Sequence, residues 1–340
     1  MSWKKEYQSA IRNHSQIENL LGLEVPLIPD YPLFIPQRLI PLLKNSKALR
    51  NQYLPSTKEL HPQGLKDPIG DKVHLAAPQL IHRYKKRVLF LPTQTCPVYC
   101  RFCFRKNELG QDPELFTSQF EKTFQYLKKN KEIEEIIFSG GDPFILDSSK
   151  IEYYLNKFLE IKHIKYIRFH TKFLTTIPSR FDEELLSILK NFTLKYKKIS
   201  LSFHINHSDE IDEKVIQIAS SLPKEINLLV QTVLLKDVND NVEDLKSLFH
   251  KCIDIGLRPY YLHHPDIVAG AMHFGVPLEK GRKLYSQLRE QLPGWAIPHY
   301  IIDIPEGHGK TLAFNSESIE FSGKLINRLG QTIKLNSHLH

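Results

Sequence analysis

The sequence predicts an α/β fold in which a parallel sheet rolls into a partial (β/α)6 TIM-like barrel. Two observations carry this. From Arg87 onward, six apolar, strand-like runs alternate with six amphipathic helical stretches, the pattern of successive right-handed βαβ units. The residues of unusual chemistry cluster at the C-terminal ends of the strand-like runs, where barrels carry their active sites. Periodicity alone leaves a flat, doubly wound sheet open as an alternative.

Residues 1–80 read as an N-terminal helical cap, punctuated by prolines, with WKKEYQSAIRN and FIPQRLIPLLKN as short helical candidates. Residues 81–295 carry the barrel. RVLFLPT precedes FTSQFEKTFQYLKKN, EEIIFSG precedes SKIEYYLNKFLEI, and YIRFHTK precedes FDEELLSILKNF. KISLSFHI, INLLVQTVL and RPYYLHH follow, paired in turn with DEIDEKVIQIASSL, VEDLKSLFHKCIDIG and LEKGRKLYSQLREQL. Residues 296–340 make a short C-terminal segment.

The composition, 41% hydrophobic and 25% charged over 340 residues, is that of a soluble globular protein able to bury a substantial core. No apolar run reaches membrane-spanning length, and MSWKKEYQSAIRNHSQ has no signal-peptide core, so the cytoplasm is the expected compartment. The net charge of +8 is spread along amphipathic stretches such as YLKKNKEIEE. That favours a solvated surface over a nucleic-acid-binding face. Four cysteines in so long a chain make no disulfide framework, and reducing conditions keep their thiolates available.

Three of those cysteines lie in TQTCPVYCRFCFRK, spaced Cys96-x3-Cys100-x2-Cys103, just after the first barrel strand. Three thiolates on so short a loop suit an iron–sulfur cluster and leave one iron open to a further ligand. A zinc held with a histidine as fourth ligand is the competing reading, although structural zinc usually takes four ligands in paired spacings. Cys252, inside a helical stretch, reads as a small buried hydrophobe. Ser139, Gly140 and Gly141 end the second strand, where glycines allow a tight turn. His204 and Gln231 end the fourth and fifth strands and could equally be core hydrogen-bonding partners. Lys310 sits in IPEGHGKT, which is not a P-loop because Ile304 stands where that motif needs glycine. It is either a surface lysine or one able to form a Schiff base with pyridoxal phosphate (PLP).

With Phe102 before its last cysteine, CxxxCxxC after strand one of a partial barrel resembles the radical S-adenosylmethionine (SAM) superfamily signature. The resemblance implies a [4Fe–4S] cluster on Cys96, Cys100 and Cys103 whose open iron binds the amino and carboxylate groups of SAM. It places Phe102 near the adenine, and Ser139, Gly140, Gly141, His204 and Gln231 as further SAM contacts. Over roughly residues 70–315, HRYKKRVLFLPTQTC, FSGGDPF, FHINHSDEID, QTVLLKDVNDN, RPYYLHHPDIVAGAMHF and the Lys310 loop resemble the lysine 2,3-aminomutase family in order and spacing. That resemblance implies PLP on Lys310, with Arg83 and Arg87 near the cofactor and Arg87 on its phosphate. It puts Arg105 on the substrate carboxylate, and Asp266 and Asp303 on the distant ammonium of L-lysine. Paired carboxylates offset the lost hydration of a buried cation and discriminate against substrates lacking one.

The sequence departs from longer family members in having no cysteine after Cys252, so their zinc-binding C-terminal extension is not expected. His263 stands where some members have tyrosine. The chain length resembles the bacterial branch that makes (R)-β-lysine for elongation factor P, whereas DIPEGHGKT with Asp303 resembles the free-lysine mutases. The expectation is an isomerase that converts L-lysine to β-lysine by radical 1,2-amino migration, served by a one-electron donor such as flavodoxin or ferredoxin and assembled as a homo-oligomer. A mutase dedicated to elongation factor P modification and a radical SAM aminomutase acting on another amino acid are the alternatives. Neither direct nucleic-acid binding nor a membrane partner is expected.

Overall fold

The computed structural model describes residues 2–109 and 119–314, together with the backbone of an antiparallel strand pair, Lys324–Ile326 and Thr332–Lys334. The rest of the expected 296–340 segment lies outside the described residues. One sheet takes its strands in chain order: β1 Leu75–Ala77, β2 Leu80–Tyr84, β3 Arg87–Thr93, β4 Glu135–Gly140 and β5 Tyr166–Thr171. It continues through β6 Lys198–His204, β7 Asn227–Val233, β8 Arg258–His263, β9 His299–Ile304 and β10 Gly309–Leu312. β3 to β9 run parallel, while β1–β2–β3 and β9–β10 are antiparallel.

The six expected strand–helix units are present. Helices Phe120–Lys129, Ser148–Leu159, Glu183–Thr193, Glu213–Ser221, Val242–Asp254 and Leu278–Arg289 follow β3 to β8 in turn. Each buries one apolar face on the sheet, as Leu245, Leu248, Phe249 and Cys252 do in the fifth. Three of them start on side-chain caps: Asp182, Asp212 and Asn241 each accept from the backbone N–H three residues on, at 2.9 to 3.0 Å, satisfying donors the helix leaves free. Between sheet and helices lies an aromatic core in which Phe138 stacks on Phe169 at 4.5 Å and meets Phe90 and Phe158 edge-on. Truncating one of these rings to alanine would cost about 3–5 kcal/mol.

The parallel ladder runs one strand beyond the six expected, into β9, and antiparallel strands flank it on both sides. These additions carry weak sequence signals. β1 has three residues, its turn into β2 uses Gln79 at φ 61° rather than a glycine, and the β2–β3 turn passes through Lys85–Lys86 without an Asn-Gly-type pair. No helix among the described residues is long and apolar enough to cross a membrane.

Two packing arrangements position the strand ends. The N-terminal helices build a second core, including Ile17, Leu33, Leu43 and Tyr53, which receives Val98 of the cysteine loop. Backbone bonds from Tyr99 to Phe34 O and from Arg101 to Gln52 O fasten the loop, and buried Arg101 pairs with Glu59 at 2.5 Å. On the other side, the segment before β1 closes onto the β9–β10 turn. Gly70 lies so near that a Cβ there would stand 2.3 Å from Gly307 N, and His74 Nε2 is 2.8 Å from Gly307 O.

Candidate active site

At the C-terminal ends of the strands opens a cavity of about 1580 Å³, counting its mouth. Every residue singled out from the sequence lines it: Cys96, Cys100, Cys103, Phe102, Ser139, Gly140, Gly141, His204, Gln231, Arg83, Arg87, Arg105, Asp266, Asp303 and Lys310. The three cysteines and Phe102 come from the loop after β3, whereas Lys310 enters from β10, more than two hundred residues later.

Burial pushes all three cavity thiols up, Cys100 to about 12. Repulsion among them adds to this for Cys96 and Cys100. A cation bound there would reverse that trend, because coordination deprotonates a thiol. Among the described residues no three His, Cys, Asp or Glu side chains already converge on one point, so the thiols share a wall without forming a closed site. The donor set, three thiols and no fourth cysteine near them, fits an iron–sulfur cluster with an open iron. Beside the loop, Phe102 meets His204 edge-on at 5.3 Å and Phe274 edge-on at 6.2 Å, an aromatic corner next to the cysteines.

β4 delivers the glycines against this loop. Gly140 has φ 102°, and the backbone N–H groups of Gly141 and Asp142 donate to Thr93 O and Thr95 O, both at 2.8 Å. A Cβ on Gly141 would lie 2.3 Å from Thr95 O, so only glycine permits this approach. Gly141→Ala is therefore expected to displace the loop just before Cys96 and to reduce cluster content after reconstitution, measured as iron and sulfide per chain, by at least about half. Full cluster content would contradict it.

The opposite side of the cavity is a chain of charges. Lys310 and Asp303 face each other across the β9–β10 ladder, and Lys310 Nζ pairs with Asp303 Oδ2. Asp303 Oδ1 lies 3.6 Å from an Arg83 nitrogen. Arg83 reaches Asp71 Oδ1 at 3.0 Å, and Asp71 Oδ2 accepts from Arg105 at 2.5 Å and 3.2 Å. Arg105 keeps a further nitrogen 3.4 Å from Ser139 Oγ. Asp71, which sequence reasoning missed, thus joins two of the expected arginines while almost wholly buried. Tyr84 was missed as well: its hydroxyl accepts from Lys310 N at 2.8 Å, and its ring carries the Arg87 guanidinium 4.1 Å away. Among the described residues no carboxylate pairs with Arg87, which leaves it able to take an anionic group such as a phosphate.

Burial, and then the nearby Asp303 charge, raise the Asp266 pKa to about 8, with Lys310 acting the other way. An aspartate whose folded pKa exceeds its unfolded value of about 3.9 stabilises the fold fully below about pH 4, and loses that contribution as pH rises through about 8. In ligand-free protein, Asp266→Asn should therefore raise the melting temperature relative to wild type at pH 8.5, and much less at pH 5. Equal shifts at both pH values would show that the effect does not come from titration of Asp266.

Residues 90–258 match the radical SAM superfamily. The chain is 34% identical over 277 residues to the L-lysine 2,3-aminomutase of Acetoanaerobium sticklandii, covering 80% of this chain and 66% of that protein. It is 33% identical over 272 residues to the L-lysine 2,3-aminomutase of Escherichia coli, covering 80% and 77%. With the L-lysine 2,3-aminomutase of Buchnera aphidicola it shares 31% identity over 322 residues, 91% of this chain and 94% of the relative. The chain thus spans just under two thirds of the first of these and nearly all of the last. Similarity on this scale, reaching from the N-terminal cap to the β9–β10 hairpin, places the chain in the L-lysine 2,3-aminomutase family of the radical SAM superfamily, an enzyme family of the isomerase class.

Proposed function

We propose that the protein converts L-lysine to β-lysine by radical 1,2-amino migration, using SAM, a [4Fe–4S] cluster and PLP. The observation that carries the reading is the placement of a guanidinium and two carboxyl groups in one cavity, Arg105 in one part and Asp266 and Asp303 in another. An amino acid with a side-chain cation matches that distribution.

Cys96, Cys100 and Cys103 would hold the cluster through their thiolates. The Ser139–Gly141 strand end, the Phe102 corner, His204 and Gln231 would seat SAM. Arg87 would take the phosphate of PLP, with Arg83 beside it, and Lys310 would bind PLP covalently through Nζ. When bound, these groups supply a carbon-centred radical and a π-system that spreads unpaired spin. The chain's own residues bind, orient and shield. Asp303 Oδ2, already against Nζ, can take the proton that Lys310 must shed to become nucleophilic. Asp303, close enough to Asp266 for its charge to act on it, would join it around the substrate ammonium. Arg105, with one edge fixed by Asp71, would offer the substrate carboxylate the nitrogen that now lies beside Ser139 Oγ. The packed Gly70–Gly307 seam fastens the segment before β1 to the β9–β10 turn beside the cavity, and shielding there would protect a reactive radical from solvent.

The test is an anaerobic assay of reconstituted protein with dithionite, SAM, PLP and L-lysine, the product resolved on a chiral column. β-Lysine formed only when every component is present supports the reading, and its R or S form separates the elongation factor P branch from the free-lysine mutases. SAM cleavage with lysine untouched would remove the substrate assignment.

A further inference from the structure

β5 turns alternate residues to opposite faces, as a strand must. Ile167 and Phe169 pack outward into the core, Phe169 against Phe138 and Phe144. Arg168 and His170 face the cavity. Arg168 is occupied, pairing with Glu135 at 3.0 Å and reaching the Tyr260 hydroxyl at 3.4 Å. His170 is not. Its Nε2 is shut off from solvent and has no hydrogen-bond partner within the protein, an arrangement folded proteins avoid unless a ligand completes it. The charged groups that act on it most strongly are Arg168, Lys310 and Arg105, so the imidazole sits near cations, on the cavity wall it shares with Lys310. Burial and those cations hold it neutral, and a neutral imidazole carries one N–H and one lone pair. Among cations, the partner this N–H fits is an anionic oxygen.

We propose that His170 is a cofactor-contacting residue, donating Nε2–H to the phenolate oxygen of PLP carried on Lys310. The inference rests on the reading of Lys310 as the PLP-binding residue. The ring carbon whose substituent bonds to the lysine is flanked by the phosphate arm on one side and the phenolate carbon on the other. With the phosphate at Arg87, the phenolate lies on the remaining side, close to the bond with Lys310. A donor to the phenolate holds negative charge on oxygen and the proton on the Schiff-base nitrogen, the form that absorbs in the visible.

The experiment uses full-length protein loaded with PLP in the absence of SAM and lysine, so that only the cofactor is present to respond. Wild type should show visible Schiff-base absorption that Lys310→Ala abolishes. In His170→Ala, borohydride reduction should still trap PLP on the protein. Its ratio of visible to near-ultraviolet absorption should fall about tenfold or more, the size of one hydrogen bond to a charged group. His170→Gln, whose amide can donate from a similar reach, should keep the ratio within about twofold of wild type. An unchanged ratio in His170→Ala overturns the proposal, and a raised lysine KM beside an unchanged spectrum would assign His170 to the substrate instead. Equal loss in both variants would reduce His170 to a packing role. If wild type itself forms no Schiff base that Lys310→Ala removes, the PLP reading fails and this inference falls with it, a result distinct from the others.

Discussion

Lys310→Ala is expected to lower β-lysine formation by at least about a thousandfold, the usual scale for losing the group that bonds covalently in the reaction. Cluster assembly should survive. Lys310 enters from β10, while the cysteine loop is fastened by the N-terminal helices through Arg101, Glu59 and the Phe34 and Gln52 carbonyls. Losing the ammonium still leaves Asp303 with the Arg83 guanidinium at 3.6 Å, so a gross unfolding defect is not expected. Lys310→Arg separates chemistry from charge. It restores a cation opposite Asp303 but cannot form the Schiff base, and so should be as inactive as the alanine variant. The measurement is product formation by chiral chromatography, with iron and sulfide content and reductive SAM cleavage followed in parallel. Full turnover in Lys310→Ala would indicate a PLP-independent radical reaction, and recovery in Lys310→Arg would reduce the lysine to an electrostatic role.

What the sequence revealed depended on how local each signal is. The six strand–helix units were legible because every helix carries its own amphipathic face and several carry their own caps, as with Asp212 and Asn241. β1, β2 and β10 were not, since strands of three to five residues leave little pattern to read, and the turns on either side of β2 lack a glycine. The cysteine loop, the glycine strand end and Lys310 announce their chemistry by spacing and residue type. Asp71 does not. It matters because folding brings it to Arg83, twelve residues on, and Arg105, thirty-four residues on, and no local rule links those positions. Tyr84 meets Lys310 across 226 residues. His170 was not singled out among the alternating residues of Tyr166–Thr171, and its significance lies in a nitrogen left without a partner, which only the packed structure can show.

Asp266→Asn and Asp303→Asn should each raise the KM for L-lysine about a hundredfold or more, because a buried ammonium that loses one of two carboxylates keeps its desolvation cost and forfeits much of its compensation. The two variants should differ otherwise. Asp303 also neutralises Lys310 and Arg83 in the ligand-free protein, so Asp303→Asn should lower the melting temperature and slow PLP loading. Asp266→Asn removes a carboxylate that burial and Asp303 oppose, and should do neither. Its mark is in the pH dependence. With a pKa of about 8 in the empty site, Asp266 is protonated through most of the neutral range and must release that proton when an ammonium settles beside it. Binding that releases a proton strengthens as pH rises, so the wild-type KM should fall between about pH 6 and 8 and level off above, whereas in Asp266→Asn this slope should flatten. Steady-state kinetics across that range, with calorimetry in two buffers of different ionisation enthalpy to count released protons, would decide it. If lysine kinetics were unchanged in both variants, the carboxylates could not be the ammonium site. A slope retained in Asp266→Asn would assign the titrating proton to another group in the cavity.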